Sequence, residues 1–239
     1  MVGTSWPGLT FDRRYQVNVA LGIVVGCLLM NSQSSSSGKA KSTIALPAPR
    51  FESEQSLESA LGNRRSIREY DKTSLSLQEV SQLLWAAQGI TASDGGRTAP
   101  SAGALYPLEV YVVTGRVASL DPGVYHYRPQ DHGIVKRADG DKRAALATAA
   151  LRQDCVRDGA AVVVLTAVYA RTEQKYGTRG ARYVHIEVGH AAQNTCLQAT
   201  ALGLGAVTVG AFDDDAVRKI LDLPTDERVL YLVPVGKIR

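Results

Sequence analysis

ARYVHIEVGHAAQNTCLQATALGLGAVTVGAF, residues 181–212, decides the fold class. Positions 181–205 carry the longest helical pattern in the chain, and apolar residues fall on several of its sides. That predicts a helix running through the core. AVTVGAF (206–212) then predicts a strand. A helix therefore comes before the glycines of GLGAVTVG (203–210), and their spacing is not GxGxxG, so the dinucleotide-binding turn is excluded. The sequence also has no GxxxxGK[ST] phosphate loop, no GxSxG nucleophile elbow and no credible Ser-His-Asp set.

Working outward, GAAVVVLTAVYA (159–170) predicts a buried strand and DKRAALATAALRQD the helix before it. EVYVVTGR (109–116) predicts a strand, and GVYHYRPQDHGIVKR (123–137) alternates around a Pro-Gln-Asp turn as a hairpin does. On the C-terminal side, DDDAVRKILDLP predicts a helix with acids at its positive end, and VLYLVPVG (229–236) the last strand. Helices and strands mix without a strict βαβ rhythm, which favours an α+β layer fold over a doubly wound sheet.

Nearer the N-terminus, SLQEVSQLLWAAQGI (76–90) predicts a helix with a capping box, Ser76 serving its first turn and Glu79 reaching back. SLESALGNRR predicts a short helix closed by Gly62 and Asn63, residue types that tolerate the left-handed conformation. TASDGGRTAPSAGALYP (91–107) is too rich in Gly, Ser and Pro to be regular, and a loop of that length is usually functional or disordered. The folded domain is expected over 47–239. Before it, NSQSSSSGKAKST (31–43) reads as a low-complexity tether, giving a linker over 31–46. Residues 1–30 read as a leader: VNVALGIVVGCLLM (17–30) suits the apolar part of an export signal, and Val24 to Cys27 resemble a lipobox. An exported or membrane-anchored placement, tethered through Cys27, is therefore expected over a cytoplasmic one.

The 239 residues carry a net charge of only +4, with 27 basic side chains against 23 acidic ones, and no long basic run. Nucleic acid is not an expected partner. Cys27, Cys155 and Cys196 lie too far apart for a CxxC motif, and His185 and His190 fall on different faces of their helix, so no metal site is expected.

GNRRSIREY (62–70) crowds Arg64, Arg65 and Arg68 around Ser66. If the chain runs extended after Asn63, Arg64, Ser66 and Arg68 share one side, a row suited to a phosphomonoester. The competing reading is a solvated basic turn in which Arg65 pairs with Glu69.

RRSIREY, the capped helix, PSAGALYPLEVYVV (100–113), KYGTRGARY (175–183), GHAAQN, ALGLGA, VGAFDDD and LVPVG together resemble the flavin-dependent nitroreductase superfamily. Within it the SagB/ThcOx-type dehydrogenases, relatives of the azoline oxidases, are most similar. The resemblance runs from about residue 44 to 236 with every motif in family order. It implies an α+β sandwich with a mostly antiparallel central sheet flanked by helices, FMN at the interface of an obligate homodimer, and NAD(P)H as a donor. By this resemblance Arg64, Arg65 and Ser66 match the family's flavin contacts, with Arg68 beside the phosphate and ribityl chain. Pro100, Ser101, Ala102 and Gly103 match the loop that the partner subunit lays over the flavin, continued by Leu105 and Tyr106. Thr208, Val209, Gly210 and Ala211 match the strand end whose backbone N–H groups approach the flavin N5 and O4; a turn or bulge is the other reading of Gly210. Lys175 and Tyr176 resemble the pair implicated in proton removal by azoline oxidases, against the alternative of a flexible basic loop.

Two departures accompany the resemblance. Ala104 stands near a position where other nitroreductases carry asparagine. The chain stops at Lys237-Ile238-Arg239, so those basic residues cannot be equated with the family's C-terminal phosphate-binding arm. The implied function is two-electron oxidoreduction of a small organic substrate through flavin N5. The alternative is a membrane-tethered ligand-binding protein that kept the fold and lost the redox chemistry.

Overall fold

The computed structural model describes residues 43–239. The expected leader and nearly all of the expected linker lie outside the described residues. Pairing begins ahead of Pro47: Thr43–Ala45 forms strand β1 on the edge of the sheet.

Helix α1 (Leu57–Asn63) starts on Ser56, whose hydroxyl accepts from the Ser59 amide. Its far end differs from expectation. Gly62 and Asn63 stay helical, and the chain leaves through Arg64 (φ −57°, ψ 119°) straight into extended backbone. A side chain replaces the left-handed cap: Arg65 Nη1 donates to the carbonyls of Gly62 and Arg64, both at 2.9 Å. Helix α2 (Leu77–Gln88) carries the capping box as expected, with Ser76 and Glu79 satisfying one another's backbone amides.

After the long loop come β2 (Leu108–Thr114) and the hairpin β3 (Gly123–Arg128) and β4 (Gly133–Asp139). Helices α3 (Arg143–Ala149) and α4 (Asp154–Asp158) lead into β5 (Ala161–Val168). Residues 170–176, expected to be part strand and part loop, are instead helix α5 (Ala170–Tyr176), which passes through one tight turn into α6 (Gly180–Ala201). Strand β6 (Leu204–Ala206) is shorter and earlier than expected, α7 (Asp214–Ile220) is capped by Asp213, and β7 (Glu227–Lys237) closes the chain.

The seven strands lie in the order β1-β4-β3-β2-β5-β7-β6, and every ladder is antiparallel. Strand β5 lies inside the sheet between β2 and β7, and both of its faces are buried. Val163 and Leu165 pack in the core shared with α2 and α6, while Val162 and Val164 pack with Leu146, Val156, Val217 and Leu221 from α3, α4 and the α7 end. An unbroken apolar run is what a strand covered on both faces requires. The expected α+β sandwich is the observed fold.

Helix α6 is less central than its composition predicts. Val184, Glu187, Val188, Ala191, Thr195, Cys196 and Ala199 form its buried stripe, whereas His185, Ile186, Gly189, His190 and Gln193 are exposed. Small alanines let α2 approach closely, so one face suffices. Cys155 and Cys196 are buried free thiols, and among the described residues no group of His, Cys, Asp and Glu could hold a metal.

Candidate active site

The arginine segment and the end of β6 meet. Ser66 bridges Ala206 in parallel register, and the Ile67 amide donates to the Ala206 carbonyl at 3.0 Å. The approach is close because position 205 is glycine: a Cβ there would lie 2.6 Å from Ile67 Cγ2. Pairing at Ser66 keeps the run extended, which places Arg64, Ser66 and Arg68 on alternating positions of one strand-like segment.

The guanidiniums differ in employment. Arg65 is turned back onto the α1 end, and its expected partner Glu69 pairs instead with Arg239 Nη1 at 3.3 Å. Arg64 and Arg68 make no ion pair or side-chain hydrogen bond among the described residues. Burial pushes the Cys196 and Cys155 thiols up, and the charges of Arg64 and Arg68, respectively, oppose that rise, which places each arginine near one thiol. Two basic side chains left without carboxylates, beside a hydroxyl, are available to an anion.

Beyond Ala206 the Val207 amide donates to the Pro234 carbonyl of β7 at 3.4 Å, and one isolated bridge follows. Val209 exchanges both backbone hydrogen bonds with Leu232, at 2.8 and 3.0 Å. The alternate amides of Thr208 and Gly210 point away and have no hydrogen-bond partner among the described residues. Gly210 is exposed, and a Cβ there would meet only the Tyr231 ring at an ordinary 3.4 Å. Neither a left-handed turn nor internal packing demands glycine at this position. What its missing side chain preserves is access to the backbone.

A second grouping forms around the long loop. Residues Ala102–Ala104 make a single tight turn, with Gly103, Ala104 and Tyr106 at φ of 63°, 54° and 45°. Two non-glycine residues in the left-handed region are costly, so the surroundings must hold them. Ser101 does so from inside: its hydroxyl accepts from the Tyr106 amide at 2.9 Å and donates to Glu187 Oε2 at 2.6 Å. Arg171 Nη1 holds the Tyr106 carbonyl at 3.1 Å, and the Arg97 guanidinium lies 4.3 Å from the centre of the Tyr106 ring.

Glu187 belongs to the buried stripe of α6 and is only 2% exposed. Burial raises its pKa to about 7, against the Ser101 hydrogen bond and the charge of Arg97, which pull it down. Its Oε1 has no partner among the described residues. This residue was not among those expected from sequence. The available signal was an acid at a buried position of the repeat Val184, Glu187, Val188, Ala191.

Lys175 and Tyr176, at the end of α5, meet this loop. A Cβ on Gly103 would lie 2.8 Å from the Tyr176 hydroxyl and 2.9 Å from Lys175 Nζ. Tyr176 packs edge-on against Tyr183 of α6, ring centres 4.9 Å apart, while Lys175 is exposed. The pair is helical, not a flexible loop. The C-terminal basic residues are engaged elsewhere: Lys237 with Glu79, Arg239 with Glu69 and the Tyr70 carbonyl.

The expected site residues thus fall into two groups within one chain. One comprises 64–68 with 208–211; the other comprises 100–106 with 175–176.

Comparison with known proteins gives the family. The Nitroreductase family profile matches residues 61–237. The Methanocaldococcus jannaschii protein MJ1384, provisionally named a nitroreductase, is 48% identical over 195 residues, 82% of this chain and 97% of that protein. The Escherichia coli microcin B17-processing protein McbC is 29% identical over 169 residues; the match takes in 67% of this chain and 60% of McbC. A crystal structure of a Ralstonia eutropha protein likewise provisionally named a nitroreductase superposes with a TM-score of 0.72 at 29% identity, covering 82% of this chain and 90% of that one. The chain belongs to the nitroreductase family.

Proposed function

We propose that this oxidoreductase-family chain depends on FMN, is of the SagB/ThcOx-type dehydrogenase branch, and moves two electrons to or from a small organic substrate, with NAD(P)H as one donor. The observation that carries the reading is the Ile67–Ala206 hydrogen bond. It sets two guanidiniums without carboxylate partners beside a strand end with unpartnered amides and an unexplained glycine. That donor set fits a flavin phosphate at one end and the polar edge of the ring at the other.

In this reading Arg64, Ser66 and Arg68 hold the phosphate, and Arg65 fixes where the segment begins. The backbone of Thr208, Val209, Gly210 and Ala211 faces the ring edge. FMN, when bound, supplies the two-electron chemistry at N5. Lys175 and Tyr176 remove or return the proton that accompanies electron transfer, and Gly103 keeps both within reach of the loop.

The two groups of residues complete one site when two copies associate, each laying Pro100, Ser101, Ala102, Gly103, Leu105 and Tyr106 over the partner's flavin. Exposed apolar side chains support a homodimer: Leu57 and Leu61, one turn apart on α1, are 62% and 52% exposed, and Phe51 is 77% exposed. Among the described residues no helix is long and apolar enough to cross a membrane. An export or tethering role for residues 1–30, through Cys27, is proposed as well; with Cys27 lipidated the domain lies outside the cytoplasmic membrane and takes electrons from a donor other than NAD(P)H, and mass spectrometry of the mature N-terminus tests it.

The experiment for the function is an anaerobic reductive titration of the flavin-loaded chain. Bleaching by NAD(P)H and recovery with a quinone or nitroarene is expected. A chain that holds FMN but is reduced neither by NAD(P)H nor by reduced mediators would be a binding protein instead.

A further inference from the structure

We propose that the cavity lined by Gln88, Arg97, Arg128 and Arg171 is a separate binding site for a small polyanion of the phosphate class. The cavity is about 510 Å³ and lies where α2, the long loop, the β2–β4 sheet end and α5 converge. Four arginines line it, Arg97, Arg128, Arg137 and Arg171, with Glu109 as the one carboxylate in the lining. Glu109 is already shared between Arg171 and His126, and Arg128 pairs with Asp131 from the neighbouring turn at 3.2 Å.

Arg97 carries the inference. Its guanidinium is half-buried, stacked on Tyr106, and has no carboxylate within ion-pair distance among the described residues. Its one side-chain hydrogen bond is from Nη1 to Gln88 Oε1 at 2.8 Å. Gln88 is fully buried, and among the described residues neither its amide nitrogen nor Arg97 Nε has a partner. Two orphaned donors on neighbouring side chains, both covered beside one cavity, are a rare arrangement in a folded protein and a costly one. A half-buried guanidinium without a counter-ion adds to that cost. Burial accordingly pushes the Arg97 pKa down, opposed by Glu109, Tyr106 and Glu187. Arg97 Nε and Gln88 Nε2 are both covered, so an anion in the cavity meets the Arg97 guanidinium where that residue lines it and supplies the missing counter-charge. A monocarboxylate would neutralise one arginine, whereas phosphate or diphosphate oxygens can serve Arg97 together with Arg128 or Arg171.

The site is distinct from the Arg64–Arg68 segment and does not depend on the flavin reading. It borders the candidate active site through Arg171, one helical turn before Lys175 on α5, so a phosphate-bearing ligand held there lies next to the loop at Tyr106.

The test is isothermal titration of the full-length chain with inorganic pyrophosphate at low ionic strength, as purified and saturated with FMN. The expected result is one site per chain that survives FMN saturation. Arg97→Gln should weaken it about tenfold or more, the worth of one charge-assisted contact. Arg128→Gln, at a half-exposed strand end where folding is not at stake, should weaken it by about threefold. Absence of saturable binding in the unsubstituted chain, or equal affinity in both variants, overturns the proposal. So does displacement by FMN, which would put the anion at Arg64 and Arg68. Failure of the chain to bind FMN would leave the Arg97 and Arg128 comparisons fully readable.

Discussion

The Ile67 amide donates to the Ala206 carbonyl across 3.0 Å, joining residues 139 positions apart in the chain. That bond brings the basic segment after α1 to the open end of β6. Gly205 permits it, because a Cβ would lie 2.6 Å from Ile67 Cγ2 and 2.9 Å from Ile67 Cβ, atoms of a stiff β-branched side chain. Gly205→Ala should therefore cost about 1–3 kcal/mol of stability by overpacking and lower flavin content, although residue 205 touches no flavin in this account. Adding Ile67→Ala should restore part of both. Urea denaturation and flavin content of the single and double variants check the prediction.

Arg64→Ala and Arg68→Ala should each weaken FMN retention by about ten- to a hundredfold, as expected for loss of one charge-assisted contact worth roughly 1.5–3 kcal/mol. Stability should change little, since neither guanidinium has a partner among the described residues to lose. Flavin content after purification, read beside the melting temperature, separates the two effects. Unchanged flavin in both variants would remove them from the clamp.

Gly103→Ala should act on the candidate site more than on the fold. Position 103 sits at φ 63°, and the new methyl would meet the mobile ends of Tyr176 and Lys175 at 2.8 and 2.9 Å. The strain is about 1–2 kcal/mol, and the side-chain ends must move aside. Reduction and reoxidation rates should both fall while the circular dichroism spectrum is retained. For Lys175→Ala, the rate of flavin reduction with each active donor is the test; an unaltered rate with all of them excludes a proton-transfer role.

Glu187 should make stability depend on pH. Its carboxyl has an ordinary value of 4.5 and is raised to about 7 in the fold by burial. Between those values the folded chain holds a proton that the unfolded chain has released, so stability falls as pH rises from about 4.5 through 7 and then levels. The loss should be on the order of 3 kcal/mol, the value of about 7 already including the opposing pull of Ser101 and Arg97. Glu187→Gln should flatten this part of the profile. Denaturation midpoints at pH 5 and pH 8 provide the check, and an identical slope in both proteins would contradict the assignment.

Much of the fold is legible in local sequence because short-range physics decides it. The Ser76–Glu79 capping box needs only a three-residue spacing, and the run of valines in β5 announces a strand covered on both faces. Local reading failed where a distant partner decided the outcome. Nothing near Gly62 and Asn63 shows that the Arg65 side chain would close α1 in their place. The turn-like glycines of KYGTRG hide α5, which is stabilised by packing on α6.

The candidate site divides in the same way. Arg64, Ser66, Gly103 and Gly210 stand out by residue type and order. Glu187 and Arg97 do not, because the meaning of Glu187 depends on Ser101, 86 positions away, and that of Arg97 on its burial beside Gln88. Those contacts exist only after the sheet and α6 have assembled.

The most direct measurement of the central claim is titration of FMN into the flavin-free full-length chain, followed by quenching of flavin fluorescence. The account predicts saturable binding at one FMN per chain, weakened in Arg64→Ala, Arg68→Ala and Gly205→Ala alike. Fluorescence that stays unquenched, or an affinity indifferent to all three substitutions, would contradict it.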